Sequence, residues 1–219
     1  IILLQQKLLN LKHLIDNLKK NCDVVLAFVS DLHSAETEMQ RVVDVAESLE
    51  LDAIVNGGDS VSSVGTEGLA WLNAIAAAST VPILSILGNH DCWASQDPWV
   101  WATAEENYNL FMPELISVAS VVAPSDSATA FKSYWYKDFG SLRIIGLDGI
   151  DYDMENAHHF DAAQLSWFES VLADARTNQK AVIVVNHYPY NKDVASKKTG
   201  LWNSWSTYLD NYKLFDNMY

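Results

Sequence analysis

Four short polar motifs in this chain carry residue types able to bind metal ions and move protons. They are Asp31-Leu32-His33, Gly57-Gly58-Asp59, Gly88-Asn89-His90-Asp91 and Asn186-His187. Carboxylate and imidazole together suit zinc, manganese and iron, and the amide oxygen of Asn89 adds a neutral donor. Two divalent cations set against the Asp31 and Asp59 carboxylates, with one shared hydroxide, leave a local charge of about +1. A centre of that sign attracts phosphate and turns water into a nucleophile toward it. Taken singly, each motif reads as an ordinary turn.

What raises them above turns is the element in front of each. Apolar runs of strand length at 24–29, 52–55, 81–87 and 181–185 lead directly into the four motifs. Between the first three runs, residues 36–49 and 67–78 have helical periodicity. This alternation predicts βα units with right-handed crossovers and a parallel sheet. In open sheets of that kind, ligands bind beyond the carboxyl ends of the strands, so Asp31, His33, Asp59, Asn89, His90 and His187 converge on one crevice. The glycines before Asp59 and Asn89 allow sharp turns and close backbone approach.

The rest of the chain is less regular. Residues 92–128 are rich in tryptophan and read as an insertion with one helix near 99–110. Runs at 131–139 and 142–147 predict a hairpin across Gly140-Ser141. Asp161 is a good N-cap for a helix to 175, with Leu165, Phe168 and Leu172 on one face. Residues 203–219 again have helical spacing. At the other end Ile1, Leu4, Leu8, Leu11, Ile15 and Leu18 form a heptad-like seam, widened by Leu3, Leu9 and Leu14. Fewer than three heptads is short for a coiled coil, so an amphipathic helix over 1–21 packed on the domain of 22–219, as a connector, is favoured over oligomerisation through residues 1–20.

Composition narrows the function classes. The chain has 219 residues, 49% of them hydrophobic, which suits one large α/β domain. Its net charge of −14 repels nucleic-acid backbones and anionic membranes, so neither is expected as a general partner. A phosphate-handling protein this acidic needs local positive charge, which bound metal supplies. Two cysteines, Cys22 and Cys92, imply no disulfide framework. No signal peptide or membrane-length apolar run is readable, and the compartment is left open.

In this order the motifs resemble those of the calcineurin-like metallophosphoesterases, whose signature runs D-x-H, G-D, G-N-H-[DE], a lone His and finally G-H-x-H. The resemblance covers residues 24–190 and includes the helix with Gln164-Leu165-Ser166-Trp167. It implies a four-layer α/β/β/α sandwich with mixed, largely parallel sheets. It also implies hydrolysis of a phosphomonoester or phosphodiester by two metal ions (manganese, iron or zinc) sharing a bridging hydroxide. Asp31 and His33 would ligate the first ion, Asp59 both, and Asn89 and His187 the second. His90, beside Asn89 on the phosphate, would protonate the leaving alkoxide and be oriented by Asp91.

One departure stands out: no histidine follows His187, so the G-H-x-H motif is absent. Because the chain starts at isoleucine, the expectation is that the sequence stops short of that motif. The alternative is a non-catalytic or weakly active module of the same fold, used for binding or assembly in a larger protein. Lesser candidates flank the site. Trp93 is placed to stack on substrate and Lys192 to attract an anion, against the plainer readings of core aromatic and solvated loop. Cys92 reads as a small buried hydrophobe, and Asp148, Asp151 and Asp153 as a solvated acidic loop.

Overall fold

The computed structural model of the chain describes residues 22–63, 69–96, 99–150 and 160–187, together with positions 10, 12–14, 16, 17 and 20. In chain order the elements are β1 (Leu26–Val29), α1 (Glu36–Ser48), β2 (Ala53–Asn56), α2 (Ala70–Ala78) and β3 (Ile83–Ser85). A short 3₁₀ turn (His90–Cys92) then leads to β4 (Trp93–Gln96), β5 (Trp99–Trp101), α3 (Ala104–Ser117), β6 (Val121–Val122) and α4 (Ser127–Ala130). The last described elements are β7 (Trp135–Phe139), β8 (Leu142–Gly146), α5 (Ala162–Thr177) and β9 (Ala181–Val185).

Strand alternation builds the layers. The first sheet, β1-β2-β3, is wholly parallel; the second, β6-β7-β8-β9, is antiparallel until β8 pairs parallel with β9. Within β2, Ile54 packs outward with Met39, Val43 and Ala46 of α1, and Leu72 and Ile75 of α2. Its neighbours Ala53 and Val55 face the other way, meeting Trp135 and Ile144 of the second sheet and Met112 of α3. In β8 the next residue, Ile145, joins Phe168 and Val171 of α5 on the far side. The order is therefore helices, sheet, sheet, helix, as a period of two along each strand requires.

Several expectations need correcting. The helix expected near 99–110 begins at Ala104 and runs to Ser117, while Trp99–Trp101 is a strand paired antiparallel with Trp93–Gln96. Aromatic and β-branched residues favour that ladder. The helix starts where Thr103 and Glu106 form a capping box, Glu106 N donating to Thr103 Oγ1 at 3.2 Å and Thr103 N to Glu106 Oε2 at 2.8 Å. Asp148 is not solvated: it is buried at 7% exposure, and its Oδ1 accepts from the Ile150 amide. Helix α5 starts at the expected cap, Gln164 N donating to Asp161 Oδ1 at 2.6 Å, but its most buried face is Gln164, Phe168, Val171 and Ala175. The 131–147 hairpin and the 181–185 strand form where expected. Leu14, expected to widen a packed stripe, is 56% exposed. The heptad seam itself, Asp151 and Asp153, and the 203–219 segment lie outside the described residues.

One charged side chain ties the second sheet to its helix. Arg143 of β8 is 2% exposed, with Nε and Nη2 on the two oxygens of Asp138 at 2.8 and 3.0 Å. Its Nη1 reaches Asp174 and the Val171 carbonyl of α5, both at 2.9 Å, and its guanidinium lies over the Tyr136 ring. This clamp holds β8 and hence its parallel neighbour β9, which ends just before His187. Hydrogen bonds from Arg143, outweighing partial burial, and from Lys180 hold Asp138 below the ordinary carboxylate value of 3.8. A depressed carboxylate stabilises the fold fully above pH 3.8, and that contribution is lost as pH falls through its folded value. Asp138→Asn, which leaves a buried guanidinium short of its partner, is expected to lower unfolding free energy by about 2 kcal/mol at pH 7. Urea unfolding should show the difference from wild type shrinking below about pH 4; a constant gap would contradict the clamp.

Candidate metal centre

Three loops meet at the carboxyl ends of the first sheet, and backbone hydrogen bonds lace two of them together. The amides of Asp31, His33 and Ser34 donate to the carbonyls of Gly58, Asp59 and Ser60 at 2.9, 3.0 and 2.9 Å. That ladder holds Asp31, His33 and Asp59 at φ of 57°, 45° and 53°, the left-handed region that side chains with a Cβ rarely adopt. Such conformations cost of order 1 kcal/mol each and persist only where neighbours enforce them.

The third loop locks onto Asp59. The His90 amide donates to Asp59 Oδ1 at 2.9 Å, which leaves Oδ2 turned toward the crevice. Around that oxygen stand three imidazoles, with Nε2 of His187, His33 and His90 at 3.4, 3.8 and 3.9 Å. Two of them have their opposite nitrogen engaged. His187 Nδ1 faces the Gly57 carbonyl at 2.8 Å and His90 Nδ1 the Ser62 carbonyl at 3.0 Å. Only an N–H can serve a carbonyl, so Nε2 of both rings presents a lone pair to the carboxylate unless it is protonated.

Lone pair facing lone pair is repulsive, and either a proton or a cation between them resolves it. The donor set fits a cation. Two donors each about 2.1 Å from one tetrahedral ion lie roughly 3.4 Å apart, close to the separations seen here. Carbonyl-held imidazoles are also the usual arrangement for histidine ligands. The donors fall into two triads within 4.8 Å, Asp31–Asp59–His187 and His33–Asp59–His90, sharing the buried Asp59. Burial works to lower the His187 pKa, but the Asp59 carboxylate and the Gly57 carbonyl outweigh it and raise it. Asp59 is correspondingly lowered: burial opposes this, and contacts with the His187 ring and the His90 amide prevail.

Most sequence candidates are thus gathered. Asp31, His33, Asp59, His90 and His187 share the cluster, and Asn89 sits on the same loop between Gly88 and His90. Asp91 is fully buried, its carboxylate accepting from the amides of Gly88 at 2.8 Å and Val61 at 3.2 Å rather than touching the His90 ring. Burial pushes its pKa up to about 7 despite those amides. Trp93 packs on His90, ring centroids 3.9 Å apart, and His90 meets His33 edge-on at 4.4 Å. Cys92 is buried, as expected of a small hydrophobe. Lys192 lies outside the described residues, as do the side chains of Trp99 and Trp101. The sequence reading missed the carbonyls of Gly57 and Ser62, which carry no side-chain signal.

A family profile for calcineurin-like phosphoesterases matches residues 24–216. The chain belongs to that family. A manganese-dependent ADP-ribose/CDP-alcohol diphosphatase from Arabidopsis thaliana is 50% identical over 40 residues, which span 18% of this chain and only 13% of that protein. A dimetal phosphatase from Danio rerio shares the fold, with a TM-score of 0.53 and 14% identity over 76% of this chain and 70% of that one. A phosphopantetheinyl hydrolase from Mycobacterium tuberculosis aligns over 83% of this chain and 73% of its own, with 14% identity and a TM-score of 0.41.

In this calcineurin-like chain two glycines keep the loops in contact. A Cβ on Gly58, whose φ is +96°, would lie 2.7 Å from Gly88 N and 2.8 Å from His187 Nδ1. On Gly88 it would lie 2.2 Å from Asp59 Oδ1. Gly58→Ala and Gly88→Ala are each expected to weaken divalent-ion binding by about 10–100-fold, the scale of losing a ligand's supporting contacts. Calorimetric titration with Mn²⁺ measures this; wild-type affinity in both variants would show that the loops do not set the centre.

Proposed function

We propose that the chain hydrolyses phosphate esters at a pair of divalent ions held by Asp31, His33, Asp59, Asn89 and His187. The observation that carries this reading is the buried Asp59 carboxylate shared by two triads of donors. When bound, ions at such a centre lower the pKa of water and offset charge on the phosphoryl oxygens. The chain's own groups do the rest. Asp59 stays ionised and oriented because its Oδ1 is tied to the His90 amide. His90 keeps Nε2 toward the crevice because Ser62 holds Nδ1 and Trp93 backs the ring. Protonated on both nitrogens, with Nδ1–H kept on the Ser62 carbonyl, it gives its Nε2 proton to the leaving oxygen and is left neutral.

Asp91 has a different part from the one the motif suggests. It is a positioning residue acting through the backbone: it pins Gly88 and Val61, and so fixes the loop that carries Asn89 and His90. Similarity to a manganese-dependent diphosphatase makes Mn²⁺ the first ion to supply and nucleoside-diphosphate-linked alcohols the first physiological substrates to try. A second reading is favoured by one observation: His90 Nε2 belongs to a donor triad with His33 and Asp59, which fits a ligand.

A single pair of variants separates these readings. Asp59→Asn is expected to abolish Mn²⁺-dependent hydrolysis of p-nitrophenyl phosphate with an unchanged circular-dichroism spectrum. His90→Ala is expected to retain the wild-type Mn²⁺ content, with turnover of alkyl phosphates falling about 10²–10⁴-fold and that of p-nitrophenyl phosphate much less. Loss of bound metal in His90→Ala would make it a ligand. Full activity in Asp59→Asn would refute the shared-carboxylate centre, whereas no Mn²⁺-dependent hydrolysis by the wild type would leave the non-catalytic module as the better account.

A further inference from the structure

The Gln164-Leu165-Ser166-Trp167 run opens α5, and the metal centre gives it no part. Gln164 is 4% exposed and lies on the buried face of the helix with Phe168, Val171 and Ala175. An amide on that face is costly unless both of its ends are bonded. Both ends are bonded, to the backbone of one residue. The Asp148 amide donates to Gln164 Oε1 at 2.8 Å, and Gln164 Nε2 donates to the Asp148 carbonyl at 2.7 Å. The side chain thus does for Asp148 what a neighbouring strand would do, just beyond the end of β8. Asp161 Oδ1 accepts from the Gln164 amide at 2.6 Å, so the helix start is fixed at the same residue.

Asp148 stands between the two halves of the metal centre. On one side of it the Leu147 amide donates to the Val185 carbonyl at 2.9 Å. Val185 ends β9, two residues before His187. On the other side Asp148 Oδ1 accepts from the Ile150 amide at 3.0 Å, which turns the chain back. Ile150 is buried in the core cluster that holds Leu87 and Cys92, the residues on either side of Gly88–Asp91. One tie therefore bears on His187, delivered by the second sheet, and on Asn89 and His90, delivered by the first.

We propose that Gln164 is a positioning residue for the metal centre. It touches neither ion nor substrate; by holding Asp148 from α5 it sets where His187 stands relative to the Asn89–His90 loop. A neutral amide suits the task because it alone donates and accepts at that reach without bringing charge; an ionised glutamate could only accept. The proposal rests on the metal reading of the Asp59 cluster, but its first readout needs neither metal nor turnover. The plainer rival is that Gln164 anchors α5 and nothing more.

Three variants of the full 219-residue chain decide between them. Gln164→Met keeps the length and loses both bonds. Gln164→Glu loses the donated bond alone, and it carries the test if Gln164→Met does not fold. Val171→Ala loosens the same helix face and leaves the bonds to Asp148 in place. All three are expected to melt below wild type. In the metal-free chain at one fixed pH, the imidazole NMR signals of His187 and His90 are expected to move in Gln164→Met, less in Gln164→Glu, and to stay in place in Val171→Ala. By calorimetric titration, Gln164→Met is expected to bind Mn²⁺ about tenfold or more weakly, the scale of losing a ligand's supporting contacts, with Val171→Ala unchanged. Wild-type imidazole signals and Mn²⁺ affinity in a folded Gln164 variant would overturn the proposal and leave a helix anchor. Equal changes in Val171→Ala would overturn it too, as general loosening. Should the wild type bind no Mn²⁺, the metal reading fails, and the imidazole signals still decide whether Gln164 positions the histidines.

Discussion

One carboxylate oxygen organises this molecule. Asp59 Oδ2 is buried, turned inward by the bond between its other oxygen and the His90 amide, and surrounded by Nε2 of His33, His90 and His187. No apolar core would place three imidazoles around an anion at distances too long for good hydrogen bonds. The arrangement is settled only when positive charge stands between them. Much around it reads as a means of holding that arrangement in the absence of the charge: left-handed backbone at Asp31, His33 and Asp59, a ladder of amide bonds between loops, and glycines where any Cβ would collide.

The fold supplies the leverage. Asp59 follows β2, the central strand of a parallel sheet whose residues Ala53, Ile54 and Val55 are wholly buried. His187 comes from the other sheet, after β9, so the centre bridges the two. Its ring is brought to Gly57 and Asp59 only if the sheets hold their relative positions. Trp135 helps fix them, filling the space between the sheets and donating from Nε1 to the Ser85 carbonyl at 2.9 Å. On the outer side Arg143 binds β8 to α5. Packing at a distance from the chemistry thus decides a contact of a few ångströms at its centre.

Much of this was legible in the sequence. Apolar runs ending in Asp, Gly-Asp, Gly-Asn-His-Asp and Asn-His report both a buried strand and a polar site, because the same chain direction that buries the strand delivers its end to the crevice. The cap at Asp161 and the hairpin at Gly140-Ser141 were readable for the same local reason. The tryptophan-rich stretch was misread because a spacing of apolar residues fits either period over a short run. The signal that resolves it, Thr103 with Glu106, was present. What could not be read were contacts made by backbone: the Gly57 and Ser62 carbonyls behind two imidazoles, and the amides that occupy Asp91.

The central claim is that one carboxylate is shared by two ions. Manganese reports this directly, since two Mn²⁺ joined through a common ligand couple magnetically whereas separate ions do not. Electron paramagnetic resonance of the Mn²⁺-loaded protein is expected to show the multiline spectrum of a coupled pair, collapsing to isolated-ion signals when Asp59 is replaced by alanine. A simple six-line spectrum from the intact protein at full loading would contradict the shared carboxylate and the account built on it.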